Sequence, residues 1–211
     1  MKTDTFSIPG KFHKNEDSLL VEKLGIEGIV AVLADGMGGL SLGDIASSIV
    51  SKTIVDYIRS HYQESDERNI LRQALEYADN ELRISSISNK SNMGAAVAVV
   101  VISNNCLYYT WQGNVRVYLI RESICSLITQ DHIADIGYGR TALTRRLRGS
   151  GLRDDVPFCS CNLENGDYVL LCTDGLYDIN DVDMGNSSIY EIINQVGTPA
   201  DDASFIRISI Y

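Results

Sequence analysis

Six carboxylates in this chain occupy places from which a fold could bring them together. The run Ile29-Val30-Ala31-Val32-Leu33-Ala34 reads as a buried strand and leads straight into Asp35-Gly36-Met37-Gly38-Gly39. A carboxylate there is carried by a rigid element, and the glycines let backbone carbonyls approach a ligand closely. Tyr168-Val169-Leu170-Leu171-Cys172-Thr173 repeats the pattern, ending in Asp174-Gly175. Two acidic pairs join them: Glu16-Asp17 after Asn15, and Asp201-Asp202 just before the last strand. Hard divalent cations such as Mg²⁺ and Mn²⁺ take carboxylate, carbonyl and water oxygens, so acidic groups from distant segments can make a site without His or Cys. Two cations sharing one carboxylate would hold a water at lowered pKa, ready for in-line attack on phosphorus. That chemistry is phosphoester hydrolysis. An Asp-Gly after a strand is very often only a turn; what favours a site is that these carboxylates fall at strand boundaries with few lysines nearby to pair them.

The elements that must position these groups are legible in outline. Segments 29–34, 95–102, 106–112, 115–121, 124–129, 168–173 and 204–210 are rich in β-branched or aromatic residues and bounded by Gly, Asn or Asp, which predicts strands. Asn104-Asn105 and Glu122-Ser123 separate consecutive runs by two residues, a hairpin length, so the middle is an antiparallel meander. Helical spacing of apolar residues predicts helices over 42–62 and 67–87, with Ser65 or Asp66 capping the second, and a shorter one over 187–196 before Gly197-Thr198-Pro199. Together these predict an α+β fold in which antiparallel sheet is layered with helices. Between 131 and 159 the pattern weakens among glycines and arginines, and irregular surface structure is expected.

The chain has 211 residues, 45% hydrophobic and 22% charged, with 17 Gly and 3 Pro. A collagen, a low-complexity polymer and a disordered tail are excluded. The length suits a single domain, 1–211, able to bury about 70% of its unfolded-state surface without disulfides. With 28 acidic against 18 basic residues the net charge is −10, and the basic clusters, such as Arg145, Arg146 and Arg148, are short. Nucleic acid is therefore not an expected partner. An acidic excess can gather carboxylates around cations, or simply favour solubility. The apolar runs 94–103 and 29–34 are far shorter than the ~20 residues that cross a bilayer, and Met1-Lys2-Thr3-Asp4 does not open a secretory signal. The expectation is a cytoplasmic monomer without membrane contact. Cys106, Cys125, Cys159, Cys161 and Cys172 form an odd, scattered set, read as reduced core thiols; Cys159-Ser160-Cys161 lacks the spacing and second pair of a zinc site.

Taken in order, the motifs resemble those of the metal-dependent serine/threonine protein phosphatases of the type 2C (PPM) family, bacterial branch, over nearly the whole chain. Asn15-Glu16-Asp17-Ser18 resembles the opening N-E-D-S, Asp35-Gly36-Met37-Gly38-Gly39 the D-G-x-G-G, and Gly94-Ala95-Ala96-Val97 the small-residue strand start. Gly113-Asn114-Val115-Arg116 stands where G-D-S-R is usual, and Leu127-Ile128-Thr129-Gln130-Asp131-His132 resembles L-T-x-D-H. Leu143-Thr144-Arg145-Arg146-Leu147 resembles L-T-R-A-L, Thr173-Asp174-Gly175-Leu176 S-D-G-L, and Asp201-Asp202-Ala203-Ser204 the closing D-N-x-T. Eight loose motifs in the right order make a strong signal. The resemblance implies a four-layer αββα sandwich of two antiparallel sheets flanked by helices, with two Mn²⁺ or Mg²⁺ ions at one end. Asp35 would bridge both ions, Asp174 and Asp201 hold one, and Glu16 and the Gly36 carbonyl the other, while Asp17 orients metal-bound water. The implied reaction is direct hydrolysis of phosphoserine or phosphothreonine in a protein, opposing a cognate bacterial serine/threonine kinase.

The chain also departs from that pattern. Phe12 stands where many members carry a phosphate-gripping Arg; Lys11, His13 or Lys14 could substitute, as point charges rather than a bidentate fork. Asn114 replaces an Asp that helps hold a third, labile metal, so a third ion is expected to be weak or absent. The flap region, about 133–160, is short, and Met37 occupies the place of a His found in some eukaryotic members. His132 could be a general acid by its ordinary pKa, although a structural role on a turn is the stronger expectation. Tyr108, Tyr109 and Trp111 read as packing residues. The arginines 145, 146 and 148 could attract a phosphopeptide or be a solvated cluster. Two other functions stay open: a degenerate phosphatase fold acting as a binding or regulatory module, and a phosphohydrolase for small molecules.

Overall fold

The structure is a computed structural model, and it describes all residues except 12–13, 39–41, 63–65, 154 and 180–186. Its strands are β1 (Lys2–Ile8), β2 (Asp17–Leu24), β3 (Gly28–Gly38), β4 (Met93–Ser103), β5 (Cys106–Gln112), β6 (Arg116–Arg121), β7 (Ile124–Leu127), β8 (Ile133–Gly137), β9 (Arg140–Leu143), β10 (Cys159–Asn162), β11 (Tyr168–Cys172) and β12 (Ala203–Ser209). The helices are α1 (Gly43–His61), α2 (Glu67–Asn89), α3 (Asp174–Tyr177) and α4 (Ile189–Val196). One five-stranded sheet runs β1-β12-β11-β6-β7 and the other β10-β5-β4-β3-β2, with β8 and β9 forming a separate ribbon. Every pairing is antiparallel.

Two-residue periodicity explains the layers. In β3 and β4 the residues Ala31, Leu33, Ala98 and Val100 face Val117, Val169, Leu171, Ile206 and Ile208 of the other sheet. Their neighbours Val30, Val32, Val97, Val99 and Val101 face the opposite way, onto Ile54, Ile58, Leu71, Leu75 and Leu82 of α1 and α2. Both faces of these strands are therefore buried, which is why they read as unbroken apolar runs rather than alternating ones. On the far side, Leu170, Cys172 and Phe205 pack against Leu176, Ile192 and Val196 of α3 and α4. The result is the four-layer αββα sandwich. Each fully buried Leu, Ile or Val contributes about 1.5–3 kcal/mol, so the doubly covered β3 and β4 are the stable centre on which the site is mounted.

Local signals set the element ends. Asp66 caps α2 by accepting from the Asn69 N–H at 2.9 Å, whereas Ser65 lies outside the described residues. Ser188 and Glu191 close a capping box on α4. Asn104-Asn105 and Glu122-Ser123 form the two tight hairpins, all four residues having positive φ, as the turn that matches strand twist requires. The expected irregular stretch at 131–159 is corrected: it holds the β8–β9 ribbon, whose exposed residues left no apolar period to read. The thiols are free: Cys172 is buried, Cys159 and Cys161 are partly buried against the inter-sheet core, and only Cys125 is exposed, so it alone falls clearly outside the core. Among the described residues, no helix is long and apolar enough to cross a membrane.

Candidate active site

Antiparallel pairing carries the acidic residues to one end of the sandwich. Asp17 at the start of β2 lies opposite Asp35 in β3, and Asp35 lies opposite Ala96 of β4. In the other sheet β11 and β12 pair with Cys172 opposite Phe205. Asp174 therefore leaves the end of β11 beside the point where Asp201 and Asp202 enter β12. Cys172 also faces Arg116, which brings Asn114 to the same end. A cleft of about 510 Å³ opens there, lined by Glu16, Asp35, Gly36, Asn114, Asp174, Asp201 and Asp202, with Met37 and three ribbon residues, Ile133, Thr141 and Leu143, on its walls.

Close backbone approach makes this convergence possible. Gly36 donates its N–H to the Glu16 carbonyl at 3.1 Å, and a Cβ on Gly36 would fall 2.0 Å from the Gly43 carbonyl oxygen. A Cβ on Gly175 would fall 2.2 Å from the Asp202 carbonyl oxygen. Asp202, only 5% exposed, accepts from the Gly10 N–H at 2.8 Å and the Glu16 N–H at 2.6 Å, so it ties the segment before β2 to the start of β12. Asp202 adjoins Asp201 in the sequence, but the clamp leaves no local signal there, because its partners lie 192 and 186 residues away along the chain.

The electrostatics are those of crowded acids. Asp17 accepts from the Thr173 hydroxyl at 3.0 Å through Oδ2, while its buried Oδ1 has no partner among the described residues. Burial, with Asp202 and Asp174 nearby, pushes the Asp17 carboxyl up to about 7 against the lowering effect of its hydrogen bonds. Burial and then the charges of Asp17, Asp174, Asp201 and Asp202 hold Asp35 well above the usual carboxylate range. Asp174 is raised by burial and by Asp201, although it accepts from the Gly175 N–H at 3.0 Å and from Asn114 Nδ2 at 2.9 Å. Asn114 Oδ1 is buried and has no partner among the described residues.

Among the described residues lining the cleft there is no Lys, Arg or His. Crowded carboxylates, orphaned oxygens and missing counter-charge are the donor chemistry that a hard divalent cation satisfies. The carboxylates share the cleft without closing into a cage: among the described residues no group of three His, Cys, Asp or Glu is already gathered as a metal site.

The other expected residues are placed as follows. Lys14 pairs with Asp44 at the start of α1, and Lys11 is exposed; neither lines the acidic cleft. Phe12, His13 and Gly39 lie outside the described residues. His132 stacks on Trp111 at 5.7 Å and its Nδ1 accepts from the Gly113 N–H at 3.2 Å. Burial and the nearby Arg145 push it down to about 4, so at neutral pH it carries no proton to donate as an acid. Tyr109 and Trp111 are buried between the sheets, donating to the carbonyls of Ile128 at 3.3 Å and Gln130 at 2.7 Å, and Tyr108 stacks on Phe158. Packing is their role.

A family model described as protein phosphatase 2C matches residues 12–205. Protein phosphatase PhpP of Streptococcus pneumoniae is 27% identical over 182 residues, covering 77% of this chain and 71% of that one. The S. agalactiae serine/threonine phosphatase superposes with a TM-score of 0.82 at 19% identity, covering 100% of this chain and 99% of that one. The catalytic domain of serine threonine protein phosphatase PstP, solved in complex with two manganese ions, superposes with a TM-score of 0.78 at 22% identity, covering 98% and 96% of the two chains.

Proposed function

This chain belongs to the protein phosphatase 2C family and is a protein-serine/threonine phosphatase; on that premise we propose that it hydrolyses phosphoserine and phosphothreonine at the acidic cleft with two bound divalent cations, Mn²⁺ or Mg²⁺. In this reading Asp35, Asp174, Asp201, Glu16 and the Gly36 carbonyl, which share the cleft, would hold the two ions. The observation that carries it is the cleft itself: acidic residues from four distant segments face one space, and among the described residues no Lys, Arg or His lines it. A phosphate dianion cannot enter such a space until its charge is offset. Bound there, the cations supply that positive charge and lower the pKa of a water toward neutrality.

The chain's own groups do the rest. Asp17 is not itself on the cleft lining, but it pairs with Asp35 across β2 and β3, and its Oδ1, unpartnered among the described residues, would accept from and orient the attacking water while Thr173 fixes the other oxygen. Asn114 holds Asp174 in its direction by donating to Oδ2. No Cys, His or Ser lines the cleft among the described residues, which favours direct attack by water over a covalent phosphoenzyme on one of those side chains. With a neutral amide at 114, a third ion is weak or absent. The substrate is a phosphoprotein, and the reaction reverses a serine/threonine kinase in the bacterial cytoplasm.

The test is phosphate release from a phosphothreonine peptide in the presence and absence of Mn²⁺. Release is expected to need the metal and to fall at least a hundredfold in Asp35→Ala and in Asp174→Ala; unchanged turnover in either variant sinks the mechanism. A second reading, a fold that binds without turning over, is favoured by Asn114 and by the lack of a preassembled three-ligand cage among the described residues. Calorimetry with Mn²⁺ separates the two, since a binding module would show no tight site.

A further inference from the structure

A substrate peptide approaches a molecule of net charge −10 whose cleft is lined with carboxylates, so any uncommitted cation beside that cleft bears on what binds. Two of the arginines at this end are committed: Arg116 pairs with Asp131 at 2.8 Å and Arg145 with Asp155. Among the described residues the Arg146 guanidinium makes no hydrogen bond or ion pair, and the Arg148 guanidinium donates only to the neutral hydroxyl of Ser150, at 3.0 Å.

The segment carrying them is held rigidly. Leu147, fully buried, exchanges both backbone hydrogen bonds with Ala95 of β4, at 2.9 and 3.0 Å. Asp79 of α2, 4% exposed, accepts from the N–H groups of Arg148, Gly149 and Gly151 at 2.8, 2.7 and 2.7 Å. Gly94 leaves room for this crossing: a Cβ there would lie 2.9 Å from the Leu147 carbonyl oxygen and 3.4 Å from Arg146 Cδ. Gly94 in turn lies opposite Met37, two residues beyond Asp35. Arg146 and Arg148 thus line a hollow of about 720 Å³ with Met37, Met93, Gly94 and Ser150, and Met37 is also a wall of the acidic cleft.

We propose that Arg146, seconded by Arg148, forms an anion subsite next to the acidic cleft that binds a negatively charged side chain flanking the phosphorylated residue of the substrate, a carboxylate or a second phosphate. This rests on the phosphatase reading above. A guanidinium whose backbone is pinned loses less entropy on binding, and its planar fork matches both anions bidentately.

Three phosphothreonine peptides, flanked on both sides by Glu, by phosphoserine or by Ala, are compared by initial rates of Mn²⁺-dependent release from the threonine, with p-nitrophenyl phosphate as a substrate that has no flanks. The unaltered protein is expected to favour the Glu or phosphoserine peptide over the Ala peptide about tenfold in kcat/KM, mostly through KM; which of the two is favoured identifies the anion. Arg146→Ala is expected to bring that ratio close to one, Arg146→Lys to an intermediate value, and Arg146→Glu below one. The ratio does not depend on how much of a variant is folded. An unaltered protein that hydrolyses p-nitrophenyl phosphate but ignores the flanks, or a ratio unmoved in Arg146→Ala, overturns the subsite and leaves the phosphatase reading standing. Failure to hydrolyse any of the four substrates overturns both.

Discussion

Asn114 shows what one residue does among crowded charges. Where the resembling family has an aspartate, its amide donates to Asp174 at 2.9 Å, replacing a repulsion between acids with a charge-assisted hydrogen bond. In Asn114→Asp this bond is lost and another buried carboxylate faces Asp174. The metal-free protein is expected to lose about 1–3 kcal/mol, and Mn²⁺ to restore most of it; melting curves with EDTA and with Mn²⁺ check this, and equal melting temperatures without metal would refute it. His132 gives a pH-dependent counterpart. Its folded-state pKa is lowered to about 4, so the neutral ring is favoured in the fold. The stability it contributes is present above its unfolded pKa of about 6.5 and is lost as pH falls from there toward 4. His132→Asn keeps an acceptor but does not titrate, so the difference between its stability and that of the unaltered protein should change across that window and be flat above pH 7. Residue types and order made Glu16, Asp35, Asp174 and Asp201 legible as a set. The Asp202 clamp and the Asn114 donation were not, because each depends on which neighbour a side chain meets across the fold.

At the scale of elements, legibility followed burial. Strands β3 and β4 have both faces covered and announced themselves as apolar runs, and α1 and α2 each bury one stripe. The edge strand β1, the half-buried β2 and the exposed β8 and β9 have little apolar surface to repeat with a period, and α3 is a single turn. The joint between β3 and α1 is the element contact on which the site most depends. Gly36→Ala would drive a methyl to 2.0 Å from the Gly43 carbonyl oxygen, a backbone atom that cannot swing aside. A loss of about 1–3 kcal/mol is expected from overpacking, with Mn²⁺ affinity falling as well because Glu16 and Gly36 shift together; denaturant melts and calorimetry measure the two. The ribbon makes the opposite prediction. Its residues are mostly exposed, yet Ile133, Thr141 and Leu143 line the cleft. Replacing 134–142 with a short Gly-Ser link should change stability little while raising KM for a phosphopeptide several-fold more than for p-nitrophenyl phosphate. Equal effects on both substrates would deny the ribbon a part in peptide recognition.

Over the whole molecule, two antiparallel sheets deliver their acidic strand ends to one pole, and the molecule carries a net charge of −10. That arrangement stores unfavourable energy whenever the pole lacks cations. Asp17, raised to about 7, and Asp35 and Asp174, raised in the same direction, bind protons more tightly folded than unfolded. Their contribution to stability is therefore fully present below the unfolded value of about 4 and is lost as pH rises toward 7, the reverse of the usual paired carboxylate. A metal-free sample is expected to melt higher at pH 5.5 than at pH 8 once the His132 contribution is subtracted with His132→Asn. Mn²⁺ competes with those protons for the same oxygens, so its stabilisation should be largest at pH 8, where it amounts to about 2.7 kcal/mol for one site at a hundredfold excess over Kd. In Asp35→Asn both the pH slope without metal and the Mn²⁺ stabilisation should shrink together, because a single crowded pole is the source of both. Thermal melts over pH 5–8 with and without Mn²⁺ measure them in one experiment, and a full Mn²⁺ stabilisation surviving in Asp35→Asn would place the ions somewhere other than this pole.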